Sequence, residues 1–137
     1  MKRFAGLILV FVMLLSALPA LADETRTSGD FQYTLKSNGT ATIVGYTGWG
    51  DIIIPQMLDG YTVTVIGDSA FDRETKNYIT CSVTLPDTIK SIGAFAFRNM
   101  NIISINLPDG LEDIGKGHLS AAIPSPTAYL QITPLLR

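Results

Sequence analysis

An internal repeat constrains this chain more than any other feature of its sequence. Residues 82–93 recur as residues 104–115, and every apolar position of the first copy is matched in the second. A Pro-Asp pair and an Ile-Gly pair coincide as well. An earlier copy starts at residue 51 and reaches its own Ile66-Gly67 after five inserted residues around Asp59-Gly60. Because repeats of roughly 20–50 residues stack on one another, this pattern predicts a solenoid.

One unit of the repeat predicts a short strand, a turn and a return to the core. Ile102, Ile105 and Leu107 have the spacing L-x-x-L-x-L, which points alternate residues of a strand inward. The following proline ends the strand because it has no N–H to donate, and Asp-Gly then forms a turn. Leu111 and Ile114 bring the chain back to the core. Each unit buries one edge only, so the neighbouring units supply its remaining contacts.

The order of these features also resembles a known family. Apolar-x-apolar-Pro is followed by Ile-Gly and then by Ala-Phe, at residues 70–71 and 96–97. This order resembles the BspA-like bacterial leucine-rich repeat family over about residues 31–119. The resemblance implies a mainly β leucine-rich repeat solenoid of short stacked parallel strands with short helical or irregular returns. It also implies an exported protein that binds or adheres rather than one that catalyses a reaction.

The segment before the repeats predicts a different structure. Residues 31–35 and 41–46 alternate apolar and polar side chains around Asn38-Gly39, which is a strong signal for a β-hairpin. We therefore expect residues 31–47 to form an N-terminal capping β-hairpin on the first coil, since solenoids need capped ends. Residues 23–30 are polar and are expected to be a disordered stub.

Residues 48–119 are predicted to contain about three leucine-rich repeat units. The outward-facing residues of their strands are the candidate binding surface. They are the strand residues that are not apolar anchors, namely Ser82, Thr84, Ser104 and Asn106. Stacked in register, they would form an uncharged strip of hydroxyl and amide groups on the concave face. Repeat proteins use that face for binding, so we expect a protein or glycan partner at a cell surface.

Residues 1–22 have the pattern of a secretory signal peptide. Lys2 and Arg3 precede an apolar run over residues 4–15. After Pro19, the small residues of Ala20-Leu-Ala predict cleavage between Ala22 and Asp23. Cleavage would leave 8 basic and 12 acidic residues, a net charge near −4, which gives no electrostatic reason to bind nucleic acid. We expect a secreted or extracellular protein, with the periplasm as the alternative. It would have no membrane insertion after cleavage and no lipid or cell-wall anchor.

The repeat pattern ends before the C-terminus. After Ile114-Gly115 the expected Ala-Phe is replaced by His118-Leu119, and residues 120–137 do not continue the repeat. We expect this tail to be degenerate or disordered, either as a divergent cap or as the end of an array cut short. Both alternatives stay open. An uncapped third unit would expose a strand edge, through which self-association is expected.

Few residues of this chain could carry catalysis or bind a metal ion. Catalysis by Cys81 and His118 would need the two within hydrogen-bond reach, and nothing in the sequence orients such a base. One cysteine and one histidine cannot build a zinc site. Asp87 and Asp109 recur at turns, where aspartate forms hydrogen bonds with its own backbone; the alternative is a weak calcium site on these two residues. We expect no catalytic residue, no metal and no cofactor.

Three carboxylates and the single tryptophan are the remaining candidates. Asp68, Asp72 and Glu74 are close in sequence, but on the loop side, where charge usually means solvated surface. Trp49 aligns with the first core position of its strand, so it is expected to seal the hairpin against the first coil. The alternative is an exposed aromatic platform for a sugar ring.

The leading hypothesis is a secreted, non-enzymatic binding protein of the leucine-rich repeat type. One rival is an accessory repeat fragment of a longer surface enzyme, in which the repeats only position the chemistry. Another rival is a truncated gene product without activity of its own. The neighbouring reading frame would distinguish these, because it either continues the repeat pattern or begins a catalytic domain.

Overall fold

A computed structural model describes residues 24–73 and 80–117 of the chain. These residues are mainly β structure and contain no helix, so they include no helix long and apolar enough to cross a membrane. The signal segment 1–22, with its cleavage site, and the tail from His118 onward lie outside the described residues. Within the described ranges the strands are β1 (Arg26–Ser28), β2 (Phe31–Leu35), β3 (Ala41–Tyr46), β4 (Ile52–Ile53), β5 (Met57–Leu58), β6 (Tyr61–Ile66), β7 (Thr80–Thr84), β8 (Ser91–Ile92), β9 (Asn101–Ile105) and β10 (Asp113–Ile114).

The strands form two sheets. In the first, sheet A, the order is β1-β2-β3-β6-β8-β10, and β5 pairs with β6 beside this path. The pairings from β3 through β10 in sheet A are parallel, as the repeat predicts. Sheet B consists of β4, β7 and β9, all parallel. Successive coils therefore each give one strand to sheet B and one to sheet A, and the predicted leucine-rich repeat solenoid is confirmed.

The N-terminal strands extend sheet A. Strands β2 and β3 pair antiparallel, as predicted for residues 31–47, and Asn38 accepts the N–H of Thr40 in the connecting turn at 3.1 Å. Strand β3 then pairs in parallel with β6. That this hairpin caps the first coil stays a prediction.

The expectation of a disordered stub at residues 23–30 is wrong where β1 forms. Strand β1 pairs antiparallel with β2, and the Ser28 hydroxyl donates to the Asp59 carboxylate at 2.8 Å. Tyr33 of β2 donates to the other oxygen of Asp59, also at 2.8 Å. Backbone pairing and this shared acceptor order a segment that is too polar to be recognised as a strand from its own residues.

The core lies between the two sheets, as the repeat predicts. The inward residues of β7 and β9, Val83 and Ile105, are paired and buried, and so are Ile92 and Ile114 of sheet A. Both Ala-Phe pairs are buried. Their rings continue a column of aromatic side chains through the coils, with neighbouring centroids 5.0–5.3 Å apart, in the order Phe31, Tyr46, Phe71 and Phe97.

The coils differ in length although their strands stay in register. In sheet A, Ile66 pairs with Ile92, and Ile92 pairs with Ile114 after a shorter stretch of chain. In sheet B, the stretch from Ile52 to its partner Val83 is longer than either of these. Part of the extra length in the first coil is the β5–β6 hairpin, whose turn residues Asp59 and Gly60 have φ of 48° and 88°. Positive φ at both positions is the geometry for which Asp-Gly turns are favoured.

Candidate binding face

The outward side of sheet B is the surface on which the candidate binding residues lie. We call it the sheet B face and define it by Ile53, Ser82, Thr84, Ile103 and Ser104. Each of the five is next to a buried residue of its own strand, because successive side chains of a regular strand point to opposite sides. Ile103 and Ser104 are consecutive and share the face because β9 is irregular there. None of the five is charged, so the face combines apolar and hydroxyl groups.

Three of the four residues predicted for this surface lie on it. Ser82 is paired with Ser104 across β7 and β9, and Thr84 is paired with Ile53 across β4 and β7. Thr84 and Ser104 are exposed, and Ser82 is half-buried. Their proposed role in binding stays a prediction.

Asn106, the fourth predicted residue, is hydrogen-bonded to the neighbouring coil. Its side-chain oxygen accepts the N–H of Leu85 at 2.7 Å, and its side-chain nitrogen donates to the carbonyl of Leu85 at 2.8 Å. The amide thus continues the pairing between two coils just beyond the end of β9. Asn106 is exposed, and its amide keeps a second donor and a second acceptor position, so its role in binding stays a prediction.

Two isoleucines on the sheet B face were missed by the sequence reasoning. Ile53 is 72% exposed and Ile103 is 53% exposed. The partner of Cys81 is Ile102 and the partner of Ser82 is Ser104, so Ile103 is the extra residue of a β-bulge. Consecutive isoleucines were the available signal, because neighbouring side chains of a regular strand point to opposite sides and one of each pair then faces outward.

Trp49 is not the buried seal that its alignment predicts. Its side chain is 66% exposed, and the Arg73 guanidinium carbon lies 4.7 Å from the ring centroid. Arg73 also donates a hydrogen bond to the carbonyl of Gly48. The first coil is instead filled by Tyr46 and Phe71, whose rings contact each other and leave the tryptophan outside.

Cys81 is buried in β7 and faces the core rather than solvent. Burial raises the pKa of its thiol, and the nearby negative charge of Asp51 raises it further, while Arg73 opposes both. The thiolate is therefore disfavoured, and a buried thiol of this kind is a poor nucleophile. The other member of the candidate pair, His118, lies outside the described residues.

The carboxylates on the loop side hold neighbouring coils together. Asp68 accepts the N–H of Ala94 at 2.7 Å, and Asp72 accepts hydrogen bonds from Arg98 and Asn99. The bonds from Arg98 are the main cause that lowers the pKa of Asp72. Within residues 24–73 and 80–117, no group of three metal-binding side chains is close enough to hold an ion. Glu74 is outside this part of the chain.

The sequence matches a model of the BspA type Leucine rich repeat region (6 copies) over residues 49–126. Among curated proteins, none matches the sequence. The leucine-rich repeat scaffold is used for binding rather than for catalysis, since stacked repeats create extended binding surfaces.

Solved structures with a similar fold are bacterial leucine-rich repeat proteins. A leucine rich cell surface protein of Faecalibacterium prausnitzii is 32% identical with a TM-score of 0.61, over 74% of this chain and 30% of that one. The T. pallidum leucine rich repeat protein is 27% identical with a TM-score of 0.52, over 66% and 42%. A Bacteroides capillosus leucine-rich repeat protein shares the fold at 22% identity and a TM-score of 0.50, over 75% and 96%. The chain thus spans less than half the length of the first two.

Proposed function

The chain belongs to the BspA-type leucine-rich repeat family, and from this premise we propose that it is an exported, non-enzymatic protein that binds a protein partner through the sheet B face. The observation that carries the proposal is the pair of exposed isoleucines on that face. Ile53 and Ile103 are 72% and 53% exposed, although each follows a buried isoleucine in its own strand.

The physical character of the sheet B face suits a protein partner. The apolar side chains of the face favour binding because a partner removes them from water. The adjacent hydroxyl groups of Ser82, Thr84 and Ser104 can form hydrogen bonds with that partner. The backbone beneath is fixed by parallel pairing on both sides of β7, so little order is lost when a partner binds. Three short strands offer less than the roughly 800 Å² per partner of a standard interface, so we expect modest affinity.

Export is part of the proposal and rests on residues 1–22. The basic start, the apolar run and the Ala20-Leu-Ala ending support cleavage after Ala22. The cell-surface relative of Faecalibacterium prausnitzii supports the same location for this chain. The intact mass of exported material should correspond to a chain that begins at Asp23, and an exported chain that still begins at Met1 would contradict the proposal.

We propose that the chain does not catalyse a reaction because its reactive side chains are buried or already hydrogen-bonded. The single thiol is in the core with a raised pKa, and the loop-side carboxylates Asp68 and Asp72 are engaged in bonds between coils. Groups tied up in this way are poorly placed to attack or protonate a substrate.

The partner can be tested by binding the fluorescently labelled exported chain to epithelial and bacterial cells. We expect saturable binding that is lost when the cells are first treated with trypsin. Ile103→Asp should abolish the trypsin-sensitive binding, because it places a charge on the sheet B face without changing the core. Met57→Asp is the matched control, since Met57 is 52% exposed but lies on β5, beside sheet A.

Two results would contradict this function. The first is equal binding by the Ile103→Asp and Met57→Asp variants, which would show that the sheet B face is not the contact. The second is binding that survives trypsin but is destroyed by periodate oxidation of surface sugars, which would identify a glycan instead of a protein. Circular dichroism of both variants, expected to match the wild type, shows that neither substitution unfolds the chain.

A further inference from the structure

Trp49 is the only tryptophan in the chain, and it is largely exposed. The exposed ring leaves a large apolar area in contact with water, and the fold forgoes the stabilisation that its burial would give. It stands between Gly48 and Gly50, neither of which has a side chain to cover the ring. This position is distinct from the five residues of the sheet B face.

The ring is held in place although it is exposed. Arg73 covers one side of it at 4.7 Å, and the same guanidinium is fixed by its bond to the carbonyl of Gly48. The loop is anchored before the ring by the N–H of Thr47, which donates to the carbonyl of Asp30 at 2.9 Å. It is anchored after the ring by Asp51, which accepts the N–H of Ser82 at 2.7 Å. A ring fixed in this way offers its second side to a ligand with little loss of order.

The surroundings of the ring are polar, which points to the chemistry of the ligand. Tryptophans that anchor protein interfaces are typically ringed by contacts that exclude water. Here the neighbours in the loop are glycines, exposed Thr47 and exposed Asp51. A carboxylate has about four lone-pair positions, so the single bond from Ser82 leaves Asp51 able to accept more hydrogen bonds.

A pyranose ring matches this arrangement. One side of such a sugar presents C–H groups, which pack on an aromatic ring, and its rim presents hydroxyl groups, which can donate to a carboxylate. The Arg73 guanidinium at the ring and the carboxylate of Asp51, two residues after the tryptophan, carry opposite charges, so they give no net attraction for an ionised sugar. We infer that Trp49, backed by Arg73 and flanked by Asp51, is a subsite for a neutral pyranose of an oligosaccharide. This subsite goes beyond the proposed protein-binding function and does not depend on it.

The single tryptophan allows a direct test, because the fluorescence of the full chain then reports on Trp49 alone. The exported chain is titrated with cellohexaose, maltohexaose and chitohexaose. We expect at least one of them to shift the emission to shorter wavelength and to protect the ring from acrylamide quenching, in a saturable manner. By calorimetry, Trp49→Ala should weaken that binding roughly tenfold, whereas Trp49→Tyr should retain part of it.

Two results would overturn the inference. One is no change in emission or quenching with any of the three oligosaccharides. The other is calorimetric binding that Trp49→Ala leaves unchanged while circular dichroism shows an intact fold. Ile103→Asp should leave sugar binding as in the wild type, so this subsite and the proposed function can fail separately. Loss of cell binding in Ile103→Asp with no sugar response, for example, would retain the protein partner and reject the subsite.

Discussion

Replacing Phe97 by alanine tests the column of aromatic rings that fills the coils. Phe97 is only 2% exposed, and its ring stacks on Phe71 with centroids 5.2 Å apart and planes 16° apart. Truncation of a buried phenylalanine to alanine lowers the free energy of unfolding by about 3–5 kcal/mol. Because a domain of this size is stable by only about 5–15 kcal/mol, the loss is a large fraction of the total. The melting temperature should fall by roughly 15–30 °C.

Phe95→Ala is the matched control, since it removes the same ring from the same turn. Phe95 is 38% exposed, and Arg98 lies over its ring at 5.3 Å. Its loss should lower the free energy of unfolding by about 1 kcal/mol. Urea denaturation followed by circular dichroism measures both variants against the wild type. Equal losses for Phe97→Ala and Phe95→Ala would refute the idea that the stacked column holds the coils together.

Three further predictions concern titratable groups. Hydrogen bonds from Tyr33 and Ser28 lower the pKa of Asp59 below its ordinary 3.8, so its contribution to stability is present above that pH and disappears as the pH falls through the lowered value. Asp59→Asn should flatten this acid-side decline in a series of denaturation curves. Asp72→Asn should lower the melting temperature through loss of its ion pair with Arg98, and the deficit should shrink in high salt. Cys81 should react with a thiol reagent only after the chain unfolds, and rapid reaction of the folded chain would contradict its burial.

Much of the architecture could be predicted from the sequence, because the repeat itself records which residues face the core. The offset between the repeats placed Ile92 opposite Ile114 and Ser82 opposite Ser104. Those relations depend only on the geometry of strands, which a single sequence displays.

Other features depend on contacts between distant residues, which the sequence does not display. Strand β1 is ordered by pairing with β2 and by Asp59, which is far from Ser28 along the chain. Trp49 occupies an apolar position of its alignment, yet its side chain is largely exposed, while Phe71 is in the core with Tyr46 packed against it. A pattern identifies which positions suit burial, but competition between side chains for the same volume is decided only in the packed core.

The unequal lengths of the coils bear on how a protein of this kind can change over time. Sheet A tolerates a longer and a shorter stretch of chain between successive partners while Ile66, Ile92 and Ile114 stay in line. Each doubling of a flexible loop adds only about 0.6 kcal/mol of closure entropy, so length is a weak constraint between anchored strands. The Asp59-Gly60 hairpin, which lies in the longer stretch between Ile52 and Val83 of sheet B, shows that added length can be ordered and displayed at the surface. Insertions between the anchors are thus a route by which new surface can arise, or be grafted by design, while the stacked scaffold beneath is inherited unchanged.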